Sequence, residues 1–184
     1  MTRLLTLANA LTSLRALAIP PFVAAVVAGR AGVAFALFWL AVASDAVDGR
    51  LARRRGQASA LGGLFDHGTD ALFVSAGLAA YAAAGVVPAP LPPLVLLAFL
   101  QYALDSRVLA GRALRTSPIG RSNGVAYYVL LGVPVVRDAL ALGWPPGPLV
   151  RALGWALVAS TLASMLDRAI AWFASRRSRG SPGA

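Results

Sequence analysis

At 184 residues the chain has the length of one domain, but 58% of it is hydrophobic and its mean hydropathy is +0.70, more apolar than an ordinary soluble domain. That composition points to an integral membrane protein. The net charge of +10 comes from 17 arginines against seven aspartates, with neither lysine nor glutamate. These arginines fall between apolar segments, where basic residues set membrane orientation and meet anionic headgroups, so the charge argues against a nucleic-acid partner. With no cysteine, disulfides and thiolate metal sites are excluded.

A helix that crosses a bilayer needs about 20 mostly apolar residues. The first such segment, near 10–28, follows Arg3 and superficially resembles a secretory signal. Arg15 interrupts it and no clean cleavage site follows, so it reads as an uncleaved first span. After Gly29-Arg30-Ala31-Gly32 comes a second segment near 32–53, which ends in a charged run. The third, near 62–84, carries Ala76, Ala80 and Ala84 at four-residue spacing, which allows close helix approach within the bundle or between subunits. The Pro88 to Pro93 region separates it from a fourth segment near 90–110. A fifth lies near 122–141, and beyond Gly143-Trp144-Pro145-Pro146-Gly147-Pro148 a sixth lies near 149–173. Long apolar runs must satisfy their backbone hydrogen bonds internally within lipid, so helices are expected throughout. The predicted protein is therefore all-α, with one six-helix transmembrane domain over residues 1–174 and a disordered cytoplasmic tail over 175–184.

The connections at 29–32, 88–93 and 143–148 share one side. Sorting the arginines accordingly puts three there (30, 137, 151) and 14 on the other (3, 15, 50, 53, 54, 55, 107, 112, 115, 121, 168, 176, 177, 179). The positive-inside rule then makes both termini cytoplasmic. Trp144, Trp155 and Trp172 lie toward segment ends, as interfacial anchors do. Asp105, Asp138 and Asp167 each have an arginine within two positions and read as balanced charges.

The remaining four acids stand together. Asp45 and Asp48 are three residues apart and Asp66 and Asp70 four apart, so each pair shares one helix face. Two helices joined by a short turn are antiparallel neighbours, which brings the four carboxylates together at the cytoplasmic ends of the second and third spans. Acids near hydrocarbon are costly unless paired or bound to metal, and an intramembrane cluster of them marks a functional site. Hard divalent ions such as Mg²⁺ or Mn²⁺ favour carboxylate oxygen and would neutralise their mutual repulsion. Gly49 and Gly62 leave room for a ligand between the helices, Ala52 keeps the same wall low, and Arg53 is placed to serve a phosphate or to offset the acids.

The run resembles the pattern of the CDP-alcohol phosphotransferase family: Asp-x-x-Asp-Gly-x-x-Ala-Arg, eight residues, Gly, three residues, Asp, three residues, Asp. Every fixed position agrees, at Asp45, Asp48, Gly49, Ala52, Arg53, Gly62, Asp66 and Asp70. Asn9-Ala10-Leu11-Thr12-Ser13-Leu14-Arg15 resembles the way the family begins its first span. The resemblance implies a homodimeric enzyme of phospholipid synthesis that transfers a phosphoalcohol from a CDP-alcohol to an acceptor hydroxyl and releases CMP. It implies two divalent cations held by Asp45, Asp48 and Asp66, with Asp70 near the second and acting as general base. Asp45, Asp48, Gly49, Ala52, Arg53, Gly62 and Thr12 would border the nucleotide. CDP-diacylglycerol is the expected donor, in a bacterial-type inner membrane.

The local Phe65-Asp66-His67-Gly68-Thr69-Asp70 is similar to the version found in choline and ethanolamine phosphotransferases, which makes a soluble CDP-alcohol with a lipid acceptor the alternative. His67, the only histidine, would share the base role there or act as a hydrogen-bonded structural residue. Arg112, Arg115 and Arg121 are candidates for the phosphate of the acceptor or lipid, because a guanidinium binds phosphate bidentately. An ion or metal transporter also uses intramembrane acids, but it needs a polar path through the bilayer, and here the acids gather near one surface.

Overall fold

The computed structural model of the chain describes residues 7–54, 60–105 and 118–177, with side chains over 12–46, 62–104 and 120–170. Among the described residues there are six helices and no strand: α1 Leu7–Val27, α2 Ala31–Arg54, α3 Ala60–Ala83, α4 Leu91–Asp105, α5 Pro118–Ala139 and α6 Gly147–Arg177. Where described, their limits lie within a few residues of the predicted segments. One stretch, Gly147–Ile170 in α6, is clearly long and apolar enough to cross a membrane by length and composition; the apolar stretches Thr12–Val27, Ala31–Ala46 and Leu91–Leu104 are shorter.

Turn chemistry explains why three of the helices stop where they do. After α1, α3 and α5 one residue takes a positive φ and the next N–H bonds back five residues: Gly29 (φ 65°) with Arg30 N to Ala25 O at 2.8 Å, Gly85 (φ 73°) with Val86 N to Tyr81 O at 2.9 Å, and Ala141 (φ 51°) with Leu142 N to Arg137 O at 2.9 Å. Glycine adopts this conformation freely, whereas an alanine there bears a steric cost of roughly 1–2 kcal/mol. The proline-rich break expected at 88–93 is shorter than predicted. Pro92 and Pro93 already belong to the first turn of α4, where the missing N–H would have had no helical partner.

The helices close into a ring in which neighbours run α1, α2, α5, α6, α4, α3 and back to α1, with α3 also touching α5 across the middle. Phe22 of α1 stacks on Phe73 of α3 at 4.8 Å, and both are fully buried with Leu78 and Leu131. Small residues permit this contact: of the spaced alanines Ala80 is buried and Ala84 exposed, and Gly77 lies tight against its neighbours. A Cβ on Gly77 would stand 2.6 Å from the Phe22 ring and 2.9 Å from Leu131. Gly132 of α5 admits Phe38 of α2 in the same manner. Trp144 and Trp155 lie exposed on the outside, and Asp138 pairs with Arg137 at 2.9 Å as expected. Short connections make successive helices alternate in direction, so α1, α3 and α5 begin at the same end of the ring at which α2, α4 and α6 finish. The acids occupy that end.

Candidate active site

Asp45 comes from the C-terminal half of α2, and Asp66 and Asp70 from successive turns of α3. They converge at one end of the bundle, but α2 and α3 are not the packed neighbours the sequence led one to expect: α1 lies between them in the ring, and its Arg15 joins their acids. Arg15 of α1 is buried, with Nη1 2.9 Å from Asp66 Oδ1 and 2.6 Å from Asp70 Oδ1, and Nη2 3.5 Å from Asp45 Oδ1. Arg15 thus belongs to the acidic cluster itself, at the end of the bundle with which the arginine count grouped it, and it pairs with the acids there. The physical reason is plain: a guanidinium about two-fifths of the way along an apolar helix must find anions, and these are the anions within reach. Thr12, one turn earlier on the same face of α1, donates to Asp66 Oδ1 at 3.4 Å. Tyr128 of α5 donates its hydroxyl to Asp70 Oδ1 at 2.8 Å, while its ring stacks on Phe73.

His67 lies against α4 while keeping a ring nitrogen within 4.8 Å of a carboxylate oxygen of Asp70. Its ring stacks on Tyr102 at 6.1 Å, its Nδ1 lies 3.9 Å from Asp66 Oδ2, and Arg168 of α6 is also held over the Tyr102 ring, at 5.4 Å. Asp45, His67 and Asp70 open onto a cavity of about 470 Å³ whose other walls include Gln101 and Tyr102 of α4, Arg121 and Asn123 of α5, and Ser164 and Arg168 of α6. Polar bonds between helices fix those walls: Gln101 Nε2 donates to Met165 O at 2.9 Å, Ser160 Oγ to Asn123 Oδ1 at 2.7 Å, and the Tyr127 and Thr161 hydroxyls bond at 2.6 Å. On the other side of Tyr128 runs a second, apolar groove of about 480 Å³ between α2 and α5, lined by Phe38, Trp39, Val42, Val129, Gly132 and Val133 and reaching Trp144 at the far end.

The donor set suits a hard divalent cation. Ligand atoms of Asp66, His67 and Asp70 lie within 4.8 Å of one another, carboxylate oxygen dominates the group, and Asp45 lines the same cavity as His67 and Asp70. Gly62 lies one turn before Asp66 on α3, and Arg121 lines the cavity. Asp48, Gly49, Ala52 and Arg53 continue α2 beyond Asp45, but their side chains lie outside the described residues, as do Arg112 and Arg115 altogether. Sequence reasoning missed Arg15, Tyr102, Gln101, Tyr128 and Arg168 as site residues. Only Arg15 carried a signal, being a charge inside an apolar span.

No individual curated protein matches the chain. The profile of the CDP-alcohol phosphatidyltransferase family does match it, over residues 5–166, a stretch that takes in Arg15, all three described acids and the cavity up to Met165. The chain therefore belongs to the CDP-alcohol phosphatidyltransferase family, membrane-embedded transferases of phospholipid synthesis that move a phosphoalcohol from a CDP-alcohol to an acceptor alcohol.

Proposed function

We propose that this chain is a six-span enzyme, folded as one domain over residues 1–174, that transfers the phosphatidyl group of CDP-diacylglycerol to a small polar alcohol and releases CMP. The observation that carries the choice of donor is the apolar groove between α2 and α5. It starts at Tyr128, whose hydroxyl is on Asp70, and it runs away from the acids along the bundle toward Trp144. A donor with its pyrophosphate at the acids and an acyl chain in that groove uses both features in one molecule, whereas with a water-soluble CDP-alcohol the groove would have to serve the acyl chains of the lipid acceptor. The cavity on the other side of Tyr128, mainly apolar but with Gln101, Asn123 and Arg121 in its wall, then takes the acceptor.

Asp45, Asp48 and Asp66 are assigned to two divalent ions, Mg²⁺ or Mn²⁺, with Asp70 at the second; such ions, when bound, neutralise the pyrophosphate and the leaving phosphate. Gly49, Ala52, Arg53, Gly62 and Thr12 border the cytidine nucleotide. Asp70 accepts the proton of the acceptor hydroxyl through Oδ2, since Oδ1 already receives Arg15 and Tyr128. The acceptor oxygen then bonds to the phosphorus that carries the diacylglycerol, the bond from that phosphorus to the bridging oxygen breaks, and CMP leaves with the electron pair. His67, stacked on Tyr102, flanks this step and shapes the cavity wall rather than taking the proton. Arg112 and Arg115 join Arg121 in holding phosphate. The enzyme is placed as a homodimer in a bacterial-type inner membrane, with both termini and the acidic end of the bundle on the cytoplasmic side.

Purified protein given labelled CDP-diacylglycerol and, separately, CDP-choline or CDP-ethanolamine with diacylglycerol tests this directly. CMP release from the lipid-linked donor, with a phosphatidyl product identified by mass, is the expected result. Turnover of only the soluble donors would replace this reading with the choline or ethanolamine type of reaction, and metal uptake into vesicles without CMP release would favour transport.

A further inference from the structure

Among the described residues Arg15 is the most completely buried charge. Its side chain is 0% exposed, while those of its partners Asp45, Asp66 and Asp70 are 46%, 24% and 22% exposed. The guanidinium therefore stands behind the carboxylates, on the protein side, and the cavity opens on the other. Its contacts with these acids follow one pattern, because each carboxylate is held at a single oxygen. Asp66 and Asp70 share Nη1 and Asp45 takes Nη2, so a single planar fork spans α2 and α3 from α1. The second donor on Asp70, the Tyr128 hydroxyl, also goes to Oδ1, and the Thr12 hydroxyl goes to Asp66 Oδ1.

We propose that Arg15 is a positioning residue: it fixes one oxygen of each of Asp45, Asp66 and Asp70 and thereby presents the second oxygen of each, already oriented, to the divalent ions. This rests on the assignment of those acids to metal under the proposed function. Two physical effects oppose each other. A permanent positive charge near a cation site weakens cation binding, whereas fixed carboxylates strengthen it by removing the cost of gathering and orienting repelling groups. The fork favours the second effect, because Nη1 and Nη2 hold acids from two helices at once, which a single ammonium group does not reproduce.

The test is Mn²⁺ affinity of the full-length protein in detergent, read from the electron paramagnetic resonance signal of free Mn²⁺, for the wild type, Arg15→Met and Arg15→Lys. Wild-type CMP release from CDP-diacylglycerol is assayed in parallel. Arg15→Met is expected to bind Mn²⁺ about tenfold or more weakly although it has lost a repelling charge, as for other residues that orient metal ligands. Arg15→Lys is expected to weaken binding in the same direction, and it carries the test if the methionine variant does not fold. Unchanged affinity would make Arg15 a simple tie between helices, and tighter binding would make it a competing cation; either overturns the proposal. A wild type that binds no Mn²⁺ overturns it together with the metal assignment. A wild type that binds Mn²⁺ in this way but releases no CMP leaves Arg15 in place and refutes the proposed reaction alone.

Discussion

Replacing Tyr128 with phenylalanine removes one hydroxyl and little else. The ring is retained, so its stacking on Phe73, at 6.4 Å between centroids, and its place between the cavity and the apolar groove are kept. The loss is the 2.8 Å hydrogen bond to Asp70 Oδ1. A hydrogen bond to a charged group contributes about 1.5–3 kcal/mol. Arg15 still holds the same oxygen at 2.6 Å, so the lower end applies, about 1.5 kcal/mol, which corresponds to roughly a tenfold fall in kcat when the bond orients the base in the transition state. Folding stability should fall by no more than about the same 1.5 kcal/mol, because no buried donor is left unpaired and the acid keeps a partner. CMP release at saturating donor and acceptor gives the first quantity, and thermal unfolding in detergent gives the second. A kcat within about twofold of wild type would refute the claim that Asp70 is oriented from both sides. A large drop in stability with no separate effect on kcat would make Tyr128 a packing residue only.

Three other outcomes follow from the same structure. Asp70→Asn should lower CMP release by about 10²–10⁴-fold with unfolding little changed, since the amide keeps the shape but cannot accept the proton. Gly77→Ala should destabilise the protein by about 1–3 kcal/mol in detergent unfolding, because the added methyl meets the Phe22 ring and Leu131 across two helix contacts. Ala141→Gly should raise stability by about 1 kcal/mol by relieving the left-handed backbone after α5, without altering kcat at the opposite end of the bundle.

The acidic motif was legible because its chemistry and its geometry are local. Asp45 and the α3 acids are close in sequence and belong to successive helices of opposite direction, so they fall at the same end of the ring, although α1 lies between α2 and α3 and its Arg15 joins them. The limit of α1 was readable for a related reason, since Gly29 supplies the turn that ends the helix. Arg15 and Tyr128 were not readable. Arg15 lies 51 and 55 residues from the acids it binds and Tyr128 lies 58 from Asp70, and those pairings depend on how α1 and α5 are rotated about their axes. Apolar residues run round most of these helices, so no polar face in the sequence announces that rotation. Gly77 was overlooked for the converse reason: in an alanine-rich helix the residue that sets the closest approach is decided by Phe22 and Leu131 on other helices. The structure likewise turns His67 toward Tyr102, which its position beside Asp66 does not foretell.

The most direct measurement is anomalous scattering from crystals of the protein grown with Mn²⁺ and a CDP-alcohol. The account predicts manganese peaks at the acidic end of the ring, with oxygens of Asp45, Asp66 and Asp70 at about 2.0–2.6 Å and Arg15 behind them. Manganese bound elsewhere, or a nucleotide seated away from these acids, would contradict it.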